Sequence, residues 1–421
     1  MTSKSTALLV VLAASLMGCS TEKPAPAAKE KEASPAPPAW TLSPRPLQAP
    51  VAQSGSSGPQ LSVSQQGVPL LSWLEVTDDK ATLKFAEHSA TGWTEPKTVA
   101  SGTDWFINDS DVPSVIRMSN GTLAANWLQN TNEELEAYNL RLSYSKDDGK
   151  TWARSFLPHH DGTQTQHGFA TLFEVPGQGL GVVWLDGRQQ VKDREKGPMS
   201  IRYAAYDGQW REKTDAAIDT KVCDCCTTSV AMAGDSPVVA FRNRTDDEIR
   251  DIFVSRLEGD KWTEGKSVHD DGWRIEACPV NGPVVSAKGT NVVVAWFTTK
   301  NDQGQSYVAF SNDGGRTFGD PIRLDDTSSL GRVDVETLDD GSAVATWIEF
   351  ADKRATLRAR RIERSGTRSP AVVIAGAANG RVSGLPRLAR QGDQLLFAWT
   401  ESPENGGPQR VVRTATASLP H

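Results

Sequence analysis

Four of the five cysteines in this chain stand close together. Val222-Cys223-Asp224-Cys225-Cys226-Thr227-Thr228-Ser229 packs three thiols into four positions, and Cys278 follows 52 residues after Cys226. Thiols this dense cross-link in an oxidising compartment or hold a soft metal. The even count favours disulfides, and a bridge from Cys225 or Cys226 to Cys278 is the expected one. A thiolate metal site or a redox-active vicinal pair is the sharper alternative. The six histidines are scattered and standard zinc spacing is absent, so no metal and no cofactor is assigned.

Charged residues gather in a second group. The run from Arg242 to Asp251 holds Arg242, Arg244, Arg250, Asp246, Asp247, Glu248 and Asp251, and Arg274, Arg332 and Arg381 lie further on. Guanidinium pairs bidentately with carboxylate or sulfate, so these six arginines are candidate ligand-binding groups. The bland reading is mutual salt bridging with the neighbouring acids. Asp111, Asp186, Asp246 and Glu248 are the candidate acid/base carboxylates, and the sequence singles out no pair among them.

Tryptophan spacing names the elements that must position these groups. Trp73, Trp127, Trp184, Phe241, Trp296, Trp347 and Trp399 each close an apolar run, at steps of 54, 57, 57, 55, 51 and 52 residues. Trp40, Trp93, Trp152, Trp210, Trp262 and Phe318 form a second lattice, with Thr367 in a degenerate seventh place. A repeat of about 50 residues built from short alternating strands is the signature of a propeller blade. The expected fold is all-β: a seven-bladed β-propeller of four-stranded antiparallel blades, with inner strands starting near Pro59, Asp111, Gly168, Thr228, Asn281, Arg332 and Ser383. The C-terminal blade has three strands of its own. Trp40 to Leu47 matches the missing outer strand, so the N-terminal segment closes the ring and removes two free edges. Trp105 and Trp273 fall on neither lattice. Each either stacks on a flat ligand or plugs a long loop.

Ser145-Lys146-Asp147-Asp148-Gly149-Lys150-Thr151-Trp152 and Ser311-Asn312-Asp313-Gly314-Gly315-Arg316-Thr317-Phe318 both read S-x-D-x-G-x-T-[W/F]. Such hairpins use an aspartate to accept backbone N–H groups and a glycine for positive φ. They resemble the Asp-box, or bacterial neuraminidase repeat, of the sialidase superfamily. The resemblance implies a propeller whose Asp-boxes lie on the outer rim and serve the fold. It also implies a site with three arginines, a tyrosine–glutamate nucleophile and an aspartate acid/base. The stretch matching the family's R-I-P motif is Asp111-Val112-Pro113, with aspartate in place of arginine. None of the five tyrosines is placed by the strand pattern as a nucleophile, and six blades are usual for sialidases. The fold therefore carries over and the catalytic set does not. The expected function is binding of a carbohydrate or another anionic small ligand on the loop face. A rearranged exo-α-sialidase-type hydrolase and a thiolate metal or redox site are the alternatives.

The ends and the composition set the remaining expectations. Residues 1–19 read as a lipoprotein signal peptide whose Leu16-Met17-Gly18-Cys19 resembles a lipobox, with Cys19 as the lipidated residue. Ser20 after it favours the bacterial outer membrane by the same resemblance. Residues 20–39, rich in Pro, Ala, Lys and Glu, read as a disordered tether, and residues 40–419 as the propeller. Net charge is −7 with no basic stripe, which argues against nucleic acid. The expected molecule is a monomer that meets the membrane only through its anchor.

Overall fold

Runs such as Leu70-Leu71-Ser72-Trp73-Leu74 and Val292-Val293-Val294-Ala295-Trp296 are apolar on both faces, which suits a strand sandwiched between neighbouring sheets. The computed structural model describes residues 40–420, apart from 52–53, 178, 192–196, 379–382 and 404–408; Cys19 and Arg381 thus lie outside the described residues. Its strands form seven antiparallel sheets, each running outward from an inner strand. The inner strands are Ser56–Val63, Ser114–Arg117, His167–Val175, Ser229–Ala233, Val284–Lys288, Ser328–Thr337 and Arg387–Gln391, in blades 1 to 7. They begin within four residues of the positions expected from the repeat.

Blade 7 closes the ring as its missing strand required. Arg45–Leu47 pairs antiparallel with Val411–Ser418, Arg45 facing Thr416 and Leu47 facing Thr414. Buried Ser56 stitches blade 1 to blade 7: its N–H donates to Arg410 O at 3.1 Å, and its Oγ accepts the Val412 N–H at 2.9 Å. In blade 2 the fourth position shrinks to one bridge between Leu142 and Phe156, because Pro158 has no N–H to extend the ladder.

Apolar clusters fill all seven blade interfaces, and the tryptophan lattices account for their repetition. Trp73, Trp184, Trp296 and Trp347 are wholly buried. Three of them donate the indole N–H to the acid two residues on: Trp73 to Glu75 at 2.9 Å, Trp184 to Asp186 at 2.8 Å and Trp347 to Glu349 at 2.5 Å. The outer lattice works across blades. Trp152 meets Phe85, Trp210 stacks on Tyr144 with centroids 3.9 Å apart, and Trp262 meets Tyr203. The smallest cluster, between blades 7 and 1, has only Leu71, Trp73, Ala86, Ala398 and Val412 as its buried members.

Both Asp-box hairpins hold themselves by the same bonds. Asp147 Oδ1 accepts the Thr151 N–H at 2.9 Å and Ser145 Oγ the Gly149 N–H at 2.9 Å; the Asp313/Thr317 and Ser311/Gly315 bonds measure 3.0 and 2.9 Å. Thr151 and Thr317 each donate their hydroxyl to the second carboxylate oxygen at 2.6 Å. These bonds hold Asp147 down at about 2.

Candidate functional site

The inner strands surround an axial cavity of about 360 Å³, lined by groups from all seven blades. Its charged members are Asp111, Asp334, Glu336 and Arg387, and serine and threonine hydroxyls supply much of the rest. Carboxyls therefore outnumber guanidinium groups three to one on this wall.

Asp111 is set by its own loop. Asn108 Oδ1 accepts the N–H groups of Ser110 and Asp111 at 2.7 and 2.6 Å, folding a tight turn just before blade 2. Pro113 then keeps Val112 extended. The Asp111 carboxyl is buried, faced by the Phe169 amide and the Tyr138 hydroxyl, while its Oδ2 has no hydrogen-bond partner of normal geometry. Burial pushes its pKa up to about 7, against the lowering effect of those two donors. Tyr138 is itself buried and stacks on Phe106 at 4.2 Å. It stands at the start of the strand Ala137–Ser145.

Deeper in the cavity, Asp334 accepts the Val335 and Leu388 N–H groups at 2.8 and 3.0 Å. Burial pushes it up to about 6, with the Arg387 charge opposing. Glu336, partly accessible from the cavity, is pushed up to about 8 by desolvation and by neighbouring Asp334. Burial lowers Arg387.

Three bulky residues in or just before inner strands have left-handed backbone. Phe169, Val280 and Arg332 have φ of +52°, +51° and +57°. Phe169 and Arg332 sit at bulges in the inner strands of blades 3 and 6. Left-handed backbone at bulky residues costs about 1–3 kcal/mol each and gathers at functional sites. Phe169 lines the cavity directly.

The arginines expected to clamp a ligand are occupied. Arg242 is buried and donates to the carbonyls of Asn281, Arg250 and Phe297, with Trp273 stacked on it at 4.9 Å. Arg244 and Arg250 share Glu248, at 2.7 and 2.8 Å. Arg332 bonds the Val280 carbonyl, and exposed Arg274 pairs with Glu276 at 3.1 Å. None of these five lines the axial cavity. Trp105 is buried against Trp127, centroids 5.5 Å apart, and so plugs its loop.

Of the four candidate carboxylates, only Asp111 reaches the cavity. Asp246 pairs with Lys221 and Glu248 with the two arginines. Asp186 is fully buried and holds Arg188 through both oxygens, at 2.7 and 2.8 Å, besides the Trp184 indole. Arg188 and His167 keep its pKa low against burial. Beyond it lies a network that sequence reading missed. His159 and His167 stack with centroids 3.7 Å apart, and both approach Asp161 Oδ2, at 3.4 and 3.1 Å. Arg188 also stands 3.6 Å from that oxygen, so the carboxylate is already neutralised by a fixed cation.

The cysteines meet as the sequence suggested. Cys223 Sγ lies 3.5 Å from Cys226 Sγ and 3.8 Å from Cys225 Sγ, and Cys278 meets Cys225 and Asp224. Cys223, Cys225 and Cys226 are buried and Cys278 is exposed. Of the two bridges expected from the even count, Cys225–Cys278 joins residues that stand together, their ligand atoms within 4.8 Å. Next to the run, Thr227, Thr228 and Ser229 line the axial cavity, which puts the thiols at its rim.

No protein-family model matches the chain, and neither does any curated protein. Solved structures do. The polysaccharide lyase Uly1 superposes with a TM-score of 0.51 at 11% identity, over 86% of this chain and 90% of that one. The phage phi92 endosialidase superposes with a TM-score of 0.51 at 9% identity, over 91% of this chain and 70% of that one. Identities this low speak for architecture alone. The chain has the fold of a seven-bladed β-propeller, similar in architecture to these two structures.

Proposed function

We propose that this propeller binds a carbohydrate in its axial cavity, through uncharged sugar hydroxyls that bond to Asp111. The observation that carries the reading is Asp111: a buried carboxyl on the wall of a cavity of about 360 Å³, whose other charged members are Asp334, Glu336 and Arg387. A few convergent polar groups around a pocket of this kind are what fix a ligand's orientation. That volume falls at the small end of ligand sites, the size range of one or two sugar rings. The sequence favoured an anionic ligand. The wall argues for a neutral one, because three carboxyls face one arginine and Arg242, Arg244 and Arg250 are paired elsewhere.

A hydrolytic reading rests on the same residue. A carboxyl pushed up to about 7 holds its proton near neutral pH and is suited to act as a general acid toward a glycosidic oxygen. We further propose display on the cell envelope through lipid-modified Cys19, on the strength of the Leu-Met-Gly-Cys sequence. The mass of the mature N-terminus from a membrane fraction tests it.

A panel of neutral and acidic oligosaccharides tests the main reading, with fluorogenic glycosides alongside. Binding of neutral members that falls away in Asp111→Asn supports it. Selective binding of acidic sugars, unaffected by that change, contradicts it.

A further inference from the structure

We propose that Cys223, Cys225 and Cys226 form a thiolate site for monovalent copper at the cavity rim, with Cys278 as its entry ligand. The site is independent of any sugar bound at Asp111.

Sulfur spacing is the first argument. Metal–thiolate bonds of about 2.3 Å around one tetrahedral or trigonal ion put neighbouring sulfurs about 3.8–4.0 Å apart. The observed separations of 3.5 and 3.8 Å are already near that value, and all three sulfurs lie within 4.8 Å of one another. Cys223 and Cys226 also have the C-x-x-C spacing common among metal-binding cysteines, which reading the run as disulfide partners had passed over. The backbone holds them there: the Cys223 N–H donates to Arg242 O at 2.9 Å, and a turn at Asp224-Cys225 brings Cys226 back to Cys223.

Charge is the second. A copper(I) ion with three thiolates carries a charge of −2, which is costly to bury unless paired. Two buried guanidinium groups adjoin the cluster. Arg250 Nη1 stands 3.3 Å from Cys223 Sγ, and Arg242 lies beside Cys226 with Trp273 covering its outer face. On binding, three S–H bonds break, three protons leave to water and three copper–sulfur bonds form. No electron is transferred.

Coordination number selects the ion. Zinc structural sites close with four ligands, whereas soft monovalent copper is satisfied by three sulfurs. The buried sulfurs number three. Cys278, exposed beside Asp224, shares a second cluster only with Cys225 and that aspartate. This arrangement suits a thiol that takes up an ion at the surface and passes it inward by ligand exchange.

The test is anaerobic titration of the reduced full-length chain with copper(I) against a chromophoric competitor, followed by copper X-ray absorption. One equivalent bound, with three sulfurs at about 2.3 Å, is the expected result. Cys226→Ser is expected to weaken binding by about a hundredfold or more, in a variant whose far-ultraviolet dichroism is native. Cys278→Ser is expected to leave equilibrium affinity within about tenfold while slowing uptake. If Cys226→Ser fails to fold, the absorption spectrum of the unaltered chain decides. The proposal is overturned by failure of the reduced protein to hold one equivalent, by nitrogen or oxygen in the copper shell, or by zinc displacing copper.

Discussion

Gly168 has no side chain because Asp111 occupies the place where one would go. A Cβ at 168 would collide with Asp111 Oδ2 and lie 2.7 Å from a ring carbon of Tyr138. Gly168 is not among the positive-φ glycines, so the constraint here is space and not backbone conformation. Blades 2 and 3 thus meet at one contact: the loop before blade 2, the Tyr138 strand of that blade and the inner strand of blade 3.

Gly168→Ala should therefore swing the Asp111 carboxyl out of place while the ring stays closed. Overpacking of this kind costs about 1–3 kcal/mol. Thermal unfolding should show a modest drop, and sugar binding should be lost far beyond what that drop explains. Unchanged binding would mean that Asp111 is not the contact.

Asp186→Asn should act on stability instead. The substitution weakens the acceptor of the Trp184 indole and leaves Arg188 beside His159 and His167 with less compensation. Breaking a buried ion pair costs about 3–5 kcal/mol when one partner goes, and an isosteric amide should recover part of that. Denaturant unfolding should register a loss of about 2–4 kcal/mol, with ligand affinity of the folded fraction unchanged.

Stability should fall as pH rises from about 4 through 8. Asp111, Asp334 and Glu336 have folded pKa values of about 7, 6 and 8, above those of free carboxyls near 4. Between the two, the folded chain binds more protons than the unfolded one. Stabilisation is complete below the unfolded pKa and is lost through each folded pKa. Melting temperature at pH 5.5 should exceed that at pH 8.5, and Glu336→Gln should flatten the slope. A melting temperature that climbs over this range would show that these carboxyls ionise freely.

Removing residues 40–47 should loosen blade 7, because Leu42 and Trp40 leave the apolar cluster between blades 6 and 7. The Val411–Ser418 strand would then lose Arg45–Leu47 and present a bare edge. The shortened chain should melt earlier and self-associate, as light scattering would record.

How far the sequence could be read follows from what repeats in it. Blade number and ring closure were legible because indoles at blade interfaces recur at blade length, and the strand before Gln48 had only one sheet to complete. Asp186 was misjudged although the signal was present. Trp184-Leu185-Asp186 copies Trp73-Leu74-Glu75 and Trp347-Ile348-Glu349, so its acid belongs to the repeat. The arginines were misjudged for another reason: a sequence displays a guanidinium but not the carbonyls that satisfy it, as for Arg242. Glu336 and Arg387 escaped notice because strand alternation separates two faces without telling channel from interface. His159 and His167, eight residues apart across a loop, share Asp161 only through tertiary packing.

A crystal structure of the chain soaked with the tightest neutral oligosaccharide of the panel tests the central claim most directly. The account predicts a sugar ring in the axial cavity with a hydroxyl within hydrogen-bond distance of Asp111 Oδ2. A sugar seated on the outer loops instead, with no contact to Asp111, would contradict it.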